Sequence, residues 1–150
     1  MKDPNRFWHK PRHMLEGVID ENWLRNLELH IARLATHLGL KNDVLNFTSE
    51  SLDEIYSTIE REWLDKPLQM QIDFLFSPLL AYCGELVRRQ VDGQWDMVMD
   101  RVTGTIEPWV VDRLNRRYDI KEVVRPFFDD LRESSMSDTI EYMIRVPKTR

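Results

Sequence analysis

The sequence predicts an α+β domain, and three observations predict it. From Glu21 to Gln90 apolar side chains recur at three- and four-residue spacing, the period of amphipathic helices. After Gly93 the period falls to two, with Trp95, Met97 and Met99 alternating with Asp96 and Asp100 and Val98 the one exception, as in a half-buried strand. Beyond Pro126 helical spacing returns through Ile140, Met143 and Ile144. The expected architecture is a three-helix N-terminal layer packed on a small antiparallel hairpin or three-stranded sheet, with C-terminal helices.

Residues 1–16 contain Pro4 and Pro11 and no helical period, which predicts an extended arm. Residues 17–150 carry no linker or repeat and read as one domain, a size that buries a continuous core. The first helix is expected over Glu21–Leu38, with Leu24, Leu27, Ile31, Leu34 and Leu38 in one stripe. Asp20 is its N-cap and Gly39 its left-handed stop. The second begins near Phe47-Thr-Ser-Glu-Ser. If Thr48 caps, Phe47 and Leu52 form a hydrophobic staple; if Ser51 caps, Glu54 closes a capping box. Leu52, Ile55, Tyr56, Ile59 and Trp63 make its apolar face. The third helix is expected from Leu68 to Gln90 with Pro67 at its first position. It is the most apolar, and Pro78 should kink or break it near Phe74 by removing a backbone hydrogen bond.

Gln94–Asp100 is the first strand, Val102-Thr103-Gly104 a turn and Thr105–Val111 the return strand, which Pro108 would place at a sheet edge. Tyr118–Val124 fits a third strand or an early helix. Pro126-Phe-Phe begins or continues a helix, and Ser135 or Ser137 caps a last one.

Charge and composition exclude several functions. Residues 14–87 hold 13 Asp/Glu against 5 Lys/Arg, and an acidic half repels a phosphate backbone, so no nucleic-acid partner is expected. No apolar run approaches the ~18–20 residues of a membrane span. The first residues lack an apolar signal core, and Cys83 is the lone cysteine, so the expected location is the cytoplasm. The five glycines are scattered, which removes phosphate-binding loops, and Gly-x-Ser-x-Gly is absent. His30 and His37 stand seven apart, about 10 Å along a helix axis and too far to share a metal. They read as partly buried structural residues. Cys83 lies mid-helix on a core-facing stripe, where a thiol is inert. No catalytic residue, metal or cofactor is expected, so an enzyme is the less favoured reading.

Two groups carry contact chemistry. Tyr82, Glu85 and Arg88 follow one another a turn apart at the end of the apolar third helix, just before the sheet. With Trp95 and Trp109 they would form a polar joint, structural or ligand-binding. Gly84 admits close packing there, and Glu85 precedes Arg89 at the favourable four-residue spacing. On the second helix Glu50, Asp53 and Glu54 oppose the apolar face and would meet a basic protein partner by electrostatic steering. The leading reading is therefore a non-enzymatic protein-binding module. A small ligand-binding domain or enzyme at the Tyr82/Glu85 joint is the alternative, and a homodimer completed across the third helix is a further possibility for a partner.

The run Ala81-Tyr82-Cys83-Gly84-Glu85 with Gly93-x-Trp95, preceded by Phe47-x-x-Glu50-Ser51-Leu52, resembles small uncharacterised bacterial proteins with a Tyr-x-Gly-Glu helix followed by a Gly-x-Trp strand. The resemblance spans residues 45–112. It implies a cytosolic α+β domain and, as for some of those proteins, a toxin-neutralising role of the immunity type. It carries over no catalytic residue, and Cys83 stands where an aliphatic residue is expected.

Overall fold

The computed structural model describes residues 19–128, 136–146 and 148–149; the expected arm over residues 1–16 and the cap at Ser135 lie outside them. The chain enters through a turn in which the Asp20 carboxylate accepts the Asn22 N–H at 2.9 Å. A 3-10 turn, Leu24–Asn26, leads into helix α1, Leu27–Leu38. The α-helix thus starts later than its periodicity suggested, because the Asp20 side chain holds the first residues in tighter turns. Leu34 and Leu38 are fully buried, while Leu24, Leu27 and Ile31 pack partly buried against the core. Gly39 adopts φ 64° and the Leu40 N–H returns to the Ala35 carbonyl at 3.0 Å, the expected left-handed stop.

Helix α2, Ser49–Glu62, is capped by Thr48, whose hydroxyl accepts the Ser51 N–H at 3.2 Å. Of the two start signals the earlier one therefore operates, and the Ser51 hydroxyl donates to the Thr48 carbonyl while its lone pair stays available to a longer-range partner. Leu52, Ile55 and Ile59 are fully buried. Pro67 stands just outside the third helix with extended ψ rather than at its first position. The third helix, α3, is one continuous helical rod of three segments: Leu68–Gln71, a π-helical Ile72–Phe76, and Ser77–Val91. Of the kink or break expected near Phe74, the chain shows no break, and the α-helical pattern is interrupted there by the π segment. Pro78 cannot donate to the Phe74 carbonyl, and the wider π turn immediately before it accommodates the lost bond. From Pro78 to Val87 every residue of α3 is buried, so this is the central helix.

The sheet has the order β1-β2-β3-β4, all neighbours antiparallel. β1 is Gln94–Asp100, β2 Thr105–Val111, β3 Arg116–Asp119 and β4 the short Lys148–Thr149. Contrary to expectation, β2 is an inner strand. Pro108 is tolerated because β3 pairs only with Trp109–Val111, so β2 is flanked on one side alone at the proline. Trp95 lies opposite Val110 and Val110 opposite Tyr118. This row faces the helices, and Val110 and Tyr118 are buried.

The ambiguous stretch resolves into both alternatives in succession. β3 ends at Asp119, helix α4 runs Lys121–Val124, and a 3-10 turn follows over Arg125–Phe128. Helix α5, Met136–Arg145, closes the core through Met136 and Ile140. Phe76, Phe127 and Phe128 form edge-to-face ring pairs 5.5–5.8 Å apart, and Tyr56 joins Phe127 at 5.6 Å, geometry that the ring quadrupole favours. Among the described residues no helix is long and apolar enough to cross a membrane.

Candidate functional site

The joint between α3 and the sheet is built around a missing side chain. A Cβ at Gly84 would overlap the Trp95 indole, with Cζ2 and Cζ3 only 2.6 and 2.7 Å away. Glycine lets the ring lie directly on the helix backbone. The indole N–H donates to Glu85 Oε1 at 3.2 Å, and its ring meets Trp23 edge-on at 5.6 Å. Arg88 grips Glu85 in a two-point pair, Nε to Oε1 at 2.7 Å and Nη2 to Oε2 at 2.6 Å, and Arg89 Nε adds 3.1 Å to Oε2. Burial by itself would raise the Glu85 pKa. The bonds from Arg88, Arg89 and Trp95 outweigh it and bring it down to about 2.

That shift makes stability depend on acid. A carboxyl whose folded pKa lies below its unfolded value stabilises the fold above the unfolded value, here 4.5, and the contribution is lost as pH falls towards 2. Because Arg88 and Arg89 are one-third and one-half exposed, screening reduces the effect to roughly 1–2 kcal/mol. Glu85→Gln should therefore be less stable at pH 7 by about that amount, with the difference from wild type shrinking towards pH 2. Urea unfolding at several pH values checks this; a pH-independent difference would show that the pairs contribute nothing through charge.

Tyr82 turns away from this network. Its hydroxyl accepts the Phe47 N–H at 2.8 Å and lies 2.6 Å from Ser51 Oγ. Ser51 in turn donates to the Thr48 carbonyl at 2.6 Å. The Ser51 proton is thus committed, and Tyr82 is the donor between the two hydroxyls. The ring is fully buried and stacks on Phe47 at 4.9 Å, with the Arg89 guanidinium 3.7 Å from the far side of Phe47. Burial holds the phenol above its ordinary pKa despite the Ser51 and Phe47 bonds, so it is no acid–base group near neutrality.

The expected constellation is therefore only partly brought together. Glu85, Arg88 and Trp95 meet, Tyr82 is sealed behind them against α2, and Trp109 lies on the opposite face of the sheet. Trp109 pairs across the strands with Asp96 and Asp119 and carries the Arg117 guanidinium 4.8 Å over its ring, a cation–π contact. The placement follows from register, since neighbouring residues on a strand point to opposite faces. Beside the joint an open cleft of about 680 Å³ is lined by Arg88, Arg113 and Arg117 together with Asp92, Asp96 and Asp112. Arg113 pairs with Asp92 at 2.6 Å and Arg117 with Asp96 at 3.6 Å. The cations there already hold carboxylates, which leaves little free charge for a ligand.

Glu50, Asp53 and Glu54 stand exposed on α2, and among the described residues no cation pairs with them. Cys83 is fully buried, 4.0 Å from Met136 Sδ, and burial pushes its thiol up to about 12. No group of three or more potential metal ligands occurs among the described residues. Sequence reasoning missed two clusters. Asp112 is buried and accepts from the Leu114 and Arg116 N–H groups, the Arg116 side chain and Tyr118. It fixes the β2–β3 turn, and the pattern Asp-x-x-Asn was its only local signal. The second cluster is a groove beside His30 and Arg33, marked in the sequence by basic side chains in an otherwise acidic half.

Comparison with family models, curated proteins and solved structures finds no match for this chain. Function must therefore be argued from its own residues.

Proposed function

We propose that this protein is a cytosolic, non-enzymatic protein-binding module, of the immunity type that the Tyr-x-Gly-Glu and Gly-x-Trp resemblance implies, and that it engages a basic partner through the outer face of α2. The observation that carries the reading is a cluster of exposed acids without ion pairs on one helix. Glu85, Asp92, Asp96, Asp112 and Glu107 each hold an arginine or lysine within 4 Å. Glu50, Asp53 and Glu54 are exposed and hold none among the described residues. Unpaired charges of one sign on a single helix face steer association and select the opposite charge. The non-enzymatic reading is supported by the state of the groups nearest the joint. Tyr82 and Cys83 are buried with raised pKa values, and Glu85 is held ionised by two arginines.

The test begins with the tagged protein and the partner it captures at low salt. Replacing Glu50, Asp53 and Glu54 together by lysine should slow association by about tenfold or more and flatten its dependence on salt. Dissociation should change less. Stopped-flow association rates over a salt series measure both, and unchanged rates reject this surface. The three side chains are exposed, so a thermal melt close to wild type verifies the fold.

A further inference from the structure

The groove between α1 and the π-helical segment of α3 has features that neither the core nor the α2 surface uses. It encloses about 460 Å³, with His30, Arg33 and His37 on one wall and Phe74, Ser77 and Pro78 on the other, a size suited to a small ligand. His30, Arg33 and His37 stand at three- and four-residue spacing, so one helix face presents all three. Arg33 is exposed and no carboxylate pairs with it among the described residues. The one acid lining the groove, Asp73, accepts from the neutral Gln69 amide at 2.6 Å, which orients the carboxylate without cancelling its charge.

His30 is held from two sides. Ser77 Oγ accepts the Trp23 indole N–H at 2.6 Å and lies 3.5 Å from His30 Nδ1. Ser77 Oγ can accept from the indole and still either donate to Nδ1 or accept from it, so this contact anchors the imidazole without choosing its tautomer. His30 Nε2 is buried and has no hydrogen-bond partner, and a buried polar atom left unpaired is destabilising. The ring is held by stacking on Trp23 at 5.4 Å. Burial, and then the Arg33 charge, keep His30 below its ordinary pKa against the pull of Asp20, consistent with a neutral ring. On the opposite wall Phe74 leaves 42% of its surface exposed and meets His37 edge-on at 5.1 Å. The π segment that carries Phe74 is a form of helix often found at functional sites.

We propose that this groove binds a small organic anion, a carboxylate or phosphate monoester on a flat apolar group. Arg33 and His37 hold the oxyanion, and the flat group lies on Phe74 and Pro78. The site is separate from the acidic face of α2.

The test is a titration of the full chain with phenyl phosphate and with benzoate, followed by NMR of the imidazole and indole nitrogens. Inorganic phosphate and benzyl alcohol serve as anion-only and ring-only controls. The expected result is saturable shifts at His30, His37 and the Trp23 indole, with a Kd of about 1 mM or tighter for at least one aromatic anion. The tighter of the two names the ligand class. Arg33→Ala and His37→Ala should each weaken binding by about tenfold, and Arg33 is exposed enough that its variant keeps the wild-type melt. Absence of saturable shifts with either anion would overturn the proposal. So would binding unchanged in Arg33→Ala, or inorganic phosphate binding as tightly as phenyl phosphate, which would signify a generic ion contact.

Discussion

Replacing Gly84 with alanine is expected to lower folding stability by about 1–3 kcal/mol, although alanine is by itself the better helix former by about 1 kcal/mol. The new Cβ would enter the space of the half-buried Trp95 ring, and moving that ring breaks its contacts. Its N–H is tied to Glu85 and its face abuts the edge of Trp23. Overpacking therefore forces either the indole off its rotamer or α3 away from β1. Denaturant unfolding of Gly84→Ala measures the loss. The same substitution in a Trp95→Ala background should become neutral or stabilising, because only helix propensity remains. A double-mutant cycle isolates the contact. If Gly84→Ala stabilises the protein with Trp95 intact, the close packing described here is wrong.

The second large effect is expected for Tyr82→Phe, at about 2 kcal/mol. This change keeps the buried ring and its stack on Phe47 but deletes the oxygen that accepts the Phe47 N–H and donates to Ser51. Phe47 sits at φ 60°, a left-handed conformation that a bulky residue adopts only when its surroundings compel it. The Tyr82 hydroxyl is one constraint, and the sandwich between Tyr82 and Arg89 is the other. Without the hydroxyl, the segment entering α2 should open more often. Amide exchange at Phe47 should then rise by more than the global loss of stability explains. Exchange at Phe47 unchanged relative to the core would show that the ring stack alone holds the strained turn.

The parts of this molecule legible in the sequence are those set by neighbours along the chain. The Gly39 stop, the helix at Ser77–Val91 and the hairpin of Gln94–Asp100 with Thr105–Val111 rest on spacing within a few residues, as do the two candidate caps of α2, between which only the structure chose Thr48. The Glu85–Arg88–Arg89 cluster was equally legible, because its members lie one helical turn apart. Trp95 was placed correctly beside Glu85, and Gly84 was the signal. Trp109 was not placed correctly. One step of register decides which face of a strand a side chain takes, and the turn at Arg101–Gly104 sets that step. Pro108 misled for a related reason. The proline rule concerns whether both flanks of a strand are paired at that residue, and the length of β3 is not a property of β2.

The sequence by itself therefore determined the fold class, the N-terminal helices with the hairpin that follows them, and the helix stripes that enter the core. These follow from periodicity and capping, which act over three to four residues. Only the tertiary structure decided that Tyr82 closes onto a turn 35 residues away, that Ser77 joins Trp23 to His30, and that Pro78 extends the helix through a π turn. Such contacts depend on how helix α1, helix α2 and the sheet are stacked around α3. That stacking is a balance of packing over the whole core, so no local spacing encodes it.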